Sequence, residues 1–172
     1  MHDADILIRA ERPIHSGGIR YVHEAAFGRR DEADIVHRIR KTEGFIPSLS
    51  LVADSDGFII GHAIFSEVTV YSGDVTWKAV VLGPIAVVPD RQQQGIGGML
   101  VRAGLERCCE LGYTLVALIG HPAYYPRFGF AAASRIGLTC NIPVPDEVFM
   151  AYAIRADDVL AGNLIYPQAF FF

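Results

Sequence analysis

The stretch Ile85-Ala86-Val87-Val88-Pro89-Asp90-Arg91-Gln92-Gln93-Gln94-Gly95-Ile96-Gly97-Gly98-Met99-Leu100 reads as a strand, a glycine-rich turn and the start of a helix. The first N–H groups of a helix have no intrahelical partners, and the helix dipole adds partial positive charge there. Gly95, Gly97 and Gly98 remove the Cβ atoms that would hold an anion away, so the segment reads as a cradle for a phosphate or pyrophosphate. The same glycines also suit a helix that packs closely on a strand, and spacing alone does not separate the two readings. Two other phosphate loops are excluded. A P-loop requires Lys followed by Ser or Thr after its last glycine, and none is present. A dinucleotide fingerprint asks for a glycine at the sixth position, which counted from Gly95 is Leu100.

Upstream of this turn, Val75 to Val88 is a strand region interrupted by Gly83-Pro84. Proline cannot donate to a ladder, so the interruption predicts a bulge or a splayed edge. Leu49 to Asp54 and Phe58 to Tyr71 flank Ser55-Asp56-Gly57, a hairpin signal, and Ser72-Gly73-Asp74 is a second turn. Ile6-Leu7-Ile8 reads as a first strand, Pro13 opens a helical segment ending around Phe27, and Asp31 to Lys41 is a second helix. Its apolar stripe is Ile35, Val36 and Ile39, with Arg38 and Arg40 facing out.

Downstream, Gln94 to Leu111 is a helix with Val101, Leu105 and Cys108 on one face and Arg102, Glu106 and Glu110 on another. Gly112 is its stop. Leu115 to Ile119 suits a buried strand, Pro122 to Phe128 a short helix before Gly129. Leu138 to Ile142 and Phe149 to Ile154 could close the fold as a hairpin. The last aromatics, Phe170-Phe171-Phe172, are expected to cover the sheet or meet a partner subunit. This order predicts an α/β (α+β) fold with one mixed sheet and helices on its faces.

The chain has 172 residues, 51% hydrophobic and 20% charged, which fits a single domain over 1–172 with a core from about 6 to 154 and a C-terminal tail. A net charge of −4 argues against nucleic acid as a partner. The longest apolar run, Ala79 to Val88, is too short for a membrane span, and Met1-His2-Asp3-Ala4-Asp5 carries no secretory pattern, so a cytoplasmic protein without a membrane partner is expected. Cys108, Cys109 and Cys140 are too few for a disulfide framework and read as reduced thiols. His23-Glu24 begins like a zincin helix, but Phe27 stands where the second histidine is needed, so no metal site is expected.

Gln92-x-x-Gly95-x-Gly97, directly after Ile85-Ala86-Val87 and before a helix, resembles motif A of the GNAT (Gcn5-related N-acetyltransferase) superfamily. Tyr125-Pro126-Arg127-Phe128-Gly129-Phe130 resembles its motif B, one helix and one strand further on. The fuller string Gly120-His121-Pro122-Ala123-Tyr124-Tyr125, with Ser50-Leu51-Val52-Ala53 and Gly61-His62, is similar to a bacterial subgroup of predicted N-acetyltransferases. The resemblance implies a GNAT-like fold from Ile6 to about Ile154: one mostly antiparallel sheet with a splayed pair of central strands. It implies acetyl-CoA as cosubstrate, its pantetheine arm against the backbone of Ile85, Ala86 and Val87 and its pyrophosphate at Gln92, Gln93, Gln94, Gly95, Ile96, Gly97 and Gly98.

The implied reaction is direct attack of a primary amine, of a small molecule or of a peptide or protein, on the thioester in a ternary complex. An alkylamine is mostly protonated at pH 7, with a pKa near 10.4, and the leaving thiolate benefits from a proton. Tyr125, placed by the resemblance against the cofactor, is the candidate catalytic acid, with Tyr124 as fallback. Glu67, His62 or water could be the base. His121 stands near a position where the family often has an Asn. A non-catalytic acyl-CoA-binding or sensing module is the alternative of another class, transfer of a longer acyl group depends on pocket depth beyond Ala86, and the assembly is expected to be a monomer or homodimer.

Overall fold

A computed structural model describes residues 5–171. Met1 to Ala4 and Phe172, and with them the readings made on the first residues and the last aromatic, lie outside the described residues. The chain runs through Ile6–Ala10 (β1), Ser16–Phe27 (α1), Asp31–Ile39 (α2), Phe45–Ser55 (β2), Phe58–Ser72 (β3), Val75–Val87 (β4), Ile96–Glu110 (α3), Leu115–Ile119 (β5), Ala131–Ala132 (β6), Leu138–Cys140 (β7), Phe149–Ala153 (β8) and Gly162–Ile165 (β9). The sheet order is β1-β2-β3-β4-β5-β8-β6, with β9 paired to β3 and β7 paired to β9. The pairs β4–β5 and β7–β9 are parallel and the others antiparallel.

Local chemistry explains the main junctions. Asp56 and Gly57 take φ of 51° and 86°, the left-handed pair that lets a two-residue turn follow the twist of β2 and β3. The Gly57 N–H donates to Asp54 Oδ1 at 2.7 Å and secures that turn. Asp31, Glu32 and Asp34 sit in the first turn of α2, where carboxylates complement the dipole.

The central strands alternate between two apolar layers. Leu51, Ala53, Ala63 and Phe65 join Leu100, Val101 and Cys108 of α3. Val52 and Ile64, the intervening positions, join Ile19 of α1 and Ile35, Val36 and Ile39 of α2. The helices therefore cover both faces, and strand period two matched to helix period 3.6 is what the residue pattern anticipates. Gly104 lets α3 lie directly on the Phe65 ring, because a Cβ there would overlap it.

Several expectations are corrected. Leu138 to Ile142 and Phe149 to Ile154 do not form a hairpin: β7 pairs with β9, and β8 with β5 and β6. The core does not stop at 154, since Leu164 and Tyr166 are buried in a further cluster with Val70, Val81 and Leu115. Phe170 packs edge-on to Tyr166, with centroids 5.2 Å apart. Arg38 and Arg40 do not simply face out. Arg38 donates to the carbonyls of Ala169 and Phe171, and Arg40 forms a two-pronged ion pair with Glu11. Helix α3 begins at Ile96 rather than Gln94, and Pro122 to Phe128 contains only a 3₁₀ turn at Tyr125–Phe128.

Candidate active site

Strands β4 and β5 pair at Val80 with Val116 and at Val81 with Ala117, and no further. Beyond that point β4 follows β3 while β5 follows β8. The register of β3 on β4 steps from Phe65–Leu82 to Ala63–Ile85, so Gly83 and Pro84 together oppose Ile64 in a bulge. The bulge bends the end of β4 away from its parallel neighbour. Beside the freed end of β4 lies a cleft of about 720 Å³, closed on its far side by residues 124–128, which follow β5 in the chain.

Ile85, Ala86 and Val87 form one wall of this cleft, and Gln92, Gln93, Gly95, Ile96, Gly97 and Gly98 line it at the start of α3. Gln93 and Gly95 have φ of 61° and 82°, left-handed backbone on either side of Gln94. Such alternation turns successive N–H groups into one concavity, and only glycine enters it without strain. A Cβ on Gly97 would lie 3.1 Å from the Tyr124 hydroxyl, and one on Gly98 would lie 3.0 Å from Arg102 Nη1. The glycines thus keep open a space that any side chain would fill. Gln92 Nε2 donates to the Val87 carbonyl at 2.9 Å and ties the turn to the strand end. Gln94 is not part of the lining. Its amide donates to the Asp90 carbonyl at 3.2 Å and its oxygen accepts from Arg91 Nε at 3.3 Å, which turns it along the outside of the loop.

The opposite wall is aromatic. Tyr124 stands edge-on to Tyr125 and to Phe128, at 5.0 and 5.3 Å between centroids, and Tyr125 also packs on Phe130. Arg102 lies over Phe128 and Arg127 over Tyr124, at 5.0 and 4.4 Å, so both guanidinium groups are held at the cleft. Tyr125 is 9% exposed, and burial, with Tyr124 beside it, pushes its phenol up to about 12. It is therefore a neutral O–H donor, and among the described residues its hydroxyl has no protein partner. Its ring leans on Gly120, where a Cβ would come within 2.5 Å.

Helix α1 contributes Ala26 and Phe27 to the cleft, residues that no motif singles out. Arg102 was readable only as a solvated face, yet it falls four residues after Gly98, one turn along the same face. The base candidates lie elsewhere. Glu67 accepts from the Tyr113 hydroxyl at 2.6 Å and does not line the cleft. His62 is fully buried behind β4, opposite Ala86. His121 is exposed and outside the cleft lining. Cys108 is buried, which pushes its thiol up to about 12. No cluster of three or more metal-ligating side chains occurs among the described residues.

The parallel central pair of the mixed sheet thus parts beside a glycine-opened helix start, and a buried tyrosine faces that helix start across the cleft. Residues 15–133 match the Acetyltransferase (GNAT) domain model, and the chain belongs to that family of N-acetyltransferases. It is 39% identical over 158 residues to the uncharacterized N-acetyltransferase YhbS of Escherichia coli K12, covering 91% of this chain and 92% of that one. It is 38% identical over 131 residues to the uncharacterized N-acetyltransferase YjhQ of the same strain, covering 75% and 72%. The crystal structure of YhbS from Escherichia coli in complex with CoA superposes with a TM-score of 0.88 at 34% identity, over 99% of this chain and 94% of that one. A GNAT acetyltransferase from Brucella melitensis in complex with acetyl-CoA superposes at 0.78 with 35% identity, over 97% and 99%.

Proposed function

We propose that this chain binds acetyl-CoA in the cleft beside the freed end of β4 and transfers its acetyl group to a primary amine of a small molecule, peptide or protein by direct attack. The observation that carries this reading is the parting of β4 from β5 beyond Val81–Ala117, at the cleft that the glycine-rich turn and Tyr125 both face. CoA-containing structures of relatives at 34% and 35% identity support the same choice of cosubstrate.

The residues present fit that group. The first N–H groups of α3, after Gly95, have no intrahelical partner and lie where glycines leave room, and Arg102 and Arg127 add positive charge at the cleft. Beyond Val81 β4 has lost its parallel partner, so the backbone groups of Ile85, Ala86 and Val87 that point away from β3 are free to pair with an amide-bearing arm. When bound, acetyl-CoA supplies the activated acetyl thioester. Tyr125 holds its proton throughout the neutral range and donates it toward the sulfur as negative charge develops there. The apolar rings around it exclude water, which strengthens that hydrogen bond.

Calorimetry with acetyl-CoA, followed by thiol release across a panel of primary amines, tests the reading. Binding with amine-dependent release is the expected result. Absence of binding refutes it, and binding without release from any amine leaves only the acyl-CoA-binding module.

A further inference from the structure

Five segments of the chain meet in a buried polar chain behind the cleft. Glu11, just after β1, accepts Arg40 Nε and Nη2 at 2.8 and 2.7 Å. His62 of β3 places Nε2 3.4 Å from Glu11 Oε2 and 2.9 Å from Ser50 Oγ. Its Nδ1 lies 2.8 Å from Nε2 of His23 on α1. Both imidazoles are fully buried. His23 Nδ1 is buried without a partner.

The carboxylate orients the whole chain. With Glu11 ionised, the stable tautomer of His62 carries its proton on Nε2, facing the negative charge, and leaves Nδ1 as an acceptor. His23 then donates Nε2–H to it, and His23 Nδ1 is left as a bare lone pair. A buried acceptor without a donor is destabilising, so such an atom calls for an explanation. Its place offers one. Phe27, which lines the cleft, lies parallel to the His23 ring at 6.3 Å, and His62 is the cross-strand partner of Ala86, which also lines the cleft.

On the acetyl-transfer reading above, we propose that His23 takes up through Nδ1 the proton that the acceptor amine loses, and that His62, Glu11 and Arg40 are the positioning residues that hold its lone pair ready. The amine nitrogen bonds to the thioester carbonyl carbon, the C–S bond breaks, and the sulfur leaves with its electron pair and the Tyr125 proton. The nitrogen sheds one proton, which passes to His23 Nδ1 when the Phe27 ring turns aside. The imidazolium so formed still donates Nε2–H to His62, whose own Nε2–H faces Glu11. The charged and titratable groups around the pair are Glu11, Arg40 and each histidine to the other, with Ser50 the remaining polar contact. Burial, His62 and Arg40 lower His23 to about 3 in the free protein, so it is neutral at pH 7 and only a weak base. The proton it takes is therefore held in passing and returns to the Tyr125 phenolate.

The test uses the full chain, acetyl-CoA and whichever panel amine reacts fastest, from about pH 6 to about pH 10, a range that brackets imidazole and alkylamine titration. His23→Gln keeps a hydrogen bond to His62 but cannot take a proton. Its kcat should fall roughly 100-fold near neutrality, the scale of general base catalysis. Its acetyl-CoA Kd should stay unchanged, and its rate should recover toward high pH, where hydroxide takes the nitrogen's proton in place of His23. His62→Gln should behave alike with a smaller loss. A His23→Gln profile that matches wild type at every pH overturns the relay. Thiol release absent from wild type with every amine instead overturns the transfer reading beneath it. Nitrogen NMR of the wild-type histidines decides the matter if the variants fail to fold: protons on Nε2 of both rings support the relay, and a proton on Nδ1 of His62 overturns it.

Discussion

Val81 and Ala117 are the last partners along β4 and β5, and the cleft opens immediately beyond them. The separation has a sequence cause on one strand only. Gly83 and Pro84 add a residue to β4 opposite Ile64, and a bulge increases local twist and bends its strand. The glycine-rich turn and the aromatic wall then face each other across the gap that this bend creates.

The cradle depends on the absence of side chains. Gly97→Val should raise the acetyl-CoA Kd by at least about tenfold, or about 1.4 kcal/mol, because its branched side chain fills the space next to the Tyr124 hydroxyl. Isothermal calorimetry checks this. An unchanged Kd would mean that the anion sits elsewhere.

Tyr125→Phe removes one oxygen from a packed ring and leaves its contacts with Tyr124 and Phe130 in place. Turnover should drop roughly 10–100-fold with little change in acetyl-CoA affinity, since a donated proton is lost and packing is not. Tyr124→Phe should have the smaller effect on turnover. The reverse ranking, measured by thiol release, would transfer the acid role to Tyr124.

Stability should fall on acidification, in a window set by two groups. His23 is lowered from 6.5 to about 3, so between those values the unfolded chain binds a proton that the folded chain excludes. For Glu11, burial alone would raise the carboxyl, but hydrogen bonds from Arg40 and His62 outweigh it and hold it at about 2, down from 4.5. Both contributions are complete above the unfolded values and are lost as pH falls through the folded ones. Urea midpoints should therefore decline from about pH 6.5 downward, and His23→Leu should flatten the upper part of that decline. A midpoint that is constant from neutrality to about pH 4 would contradict the burial of the pair.

Gly104 sits mid-helix, where alanine ordinarily stabilises by up to about 1 kcal/mol. Here Gly104→Ala should destabilise instead, by about 1–3 kcal/mol, because the added methyl enters the Phe65 ring. Thermal denaturation monitored by circular dichroism gives the sign directly.

The sequence by itself determined what short-range chemistry encodes. The Asp56-Gly57 turn, a helix ending at Phe27, a helix following the glycine-rich turn to about Leu111, the interrupted strand at Gly83-Pro84 and the glycine-opened helix start follow from turn residues and hydrophobic period. Two motifs in register were enough to suggest the family. Only the tertiary structure decided which strands are neighbours: β9 lies beyond the expected core, and three-residue β7 pairs with it in parallel, an arrangement without a local turn to announce it. It also decided the buried polar chain that joins Arg40, Glu11, His62 and His23. Arg40 meets Glu11 across 29 residues and His23 meets His62 across 39. Each of these side chains reads alone as an ordinary polar residue on a helix, a strand or a loop. Their chemistry arises from mutual burial, which lowers the local dielectric and fixes each proton by its neighbour, and burial is a property of the packed sheet and helices together.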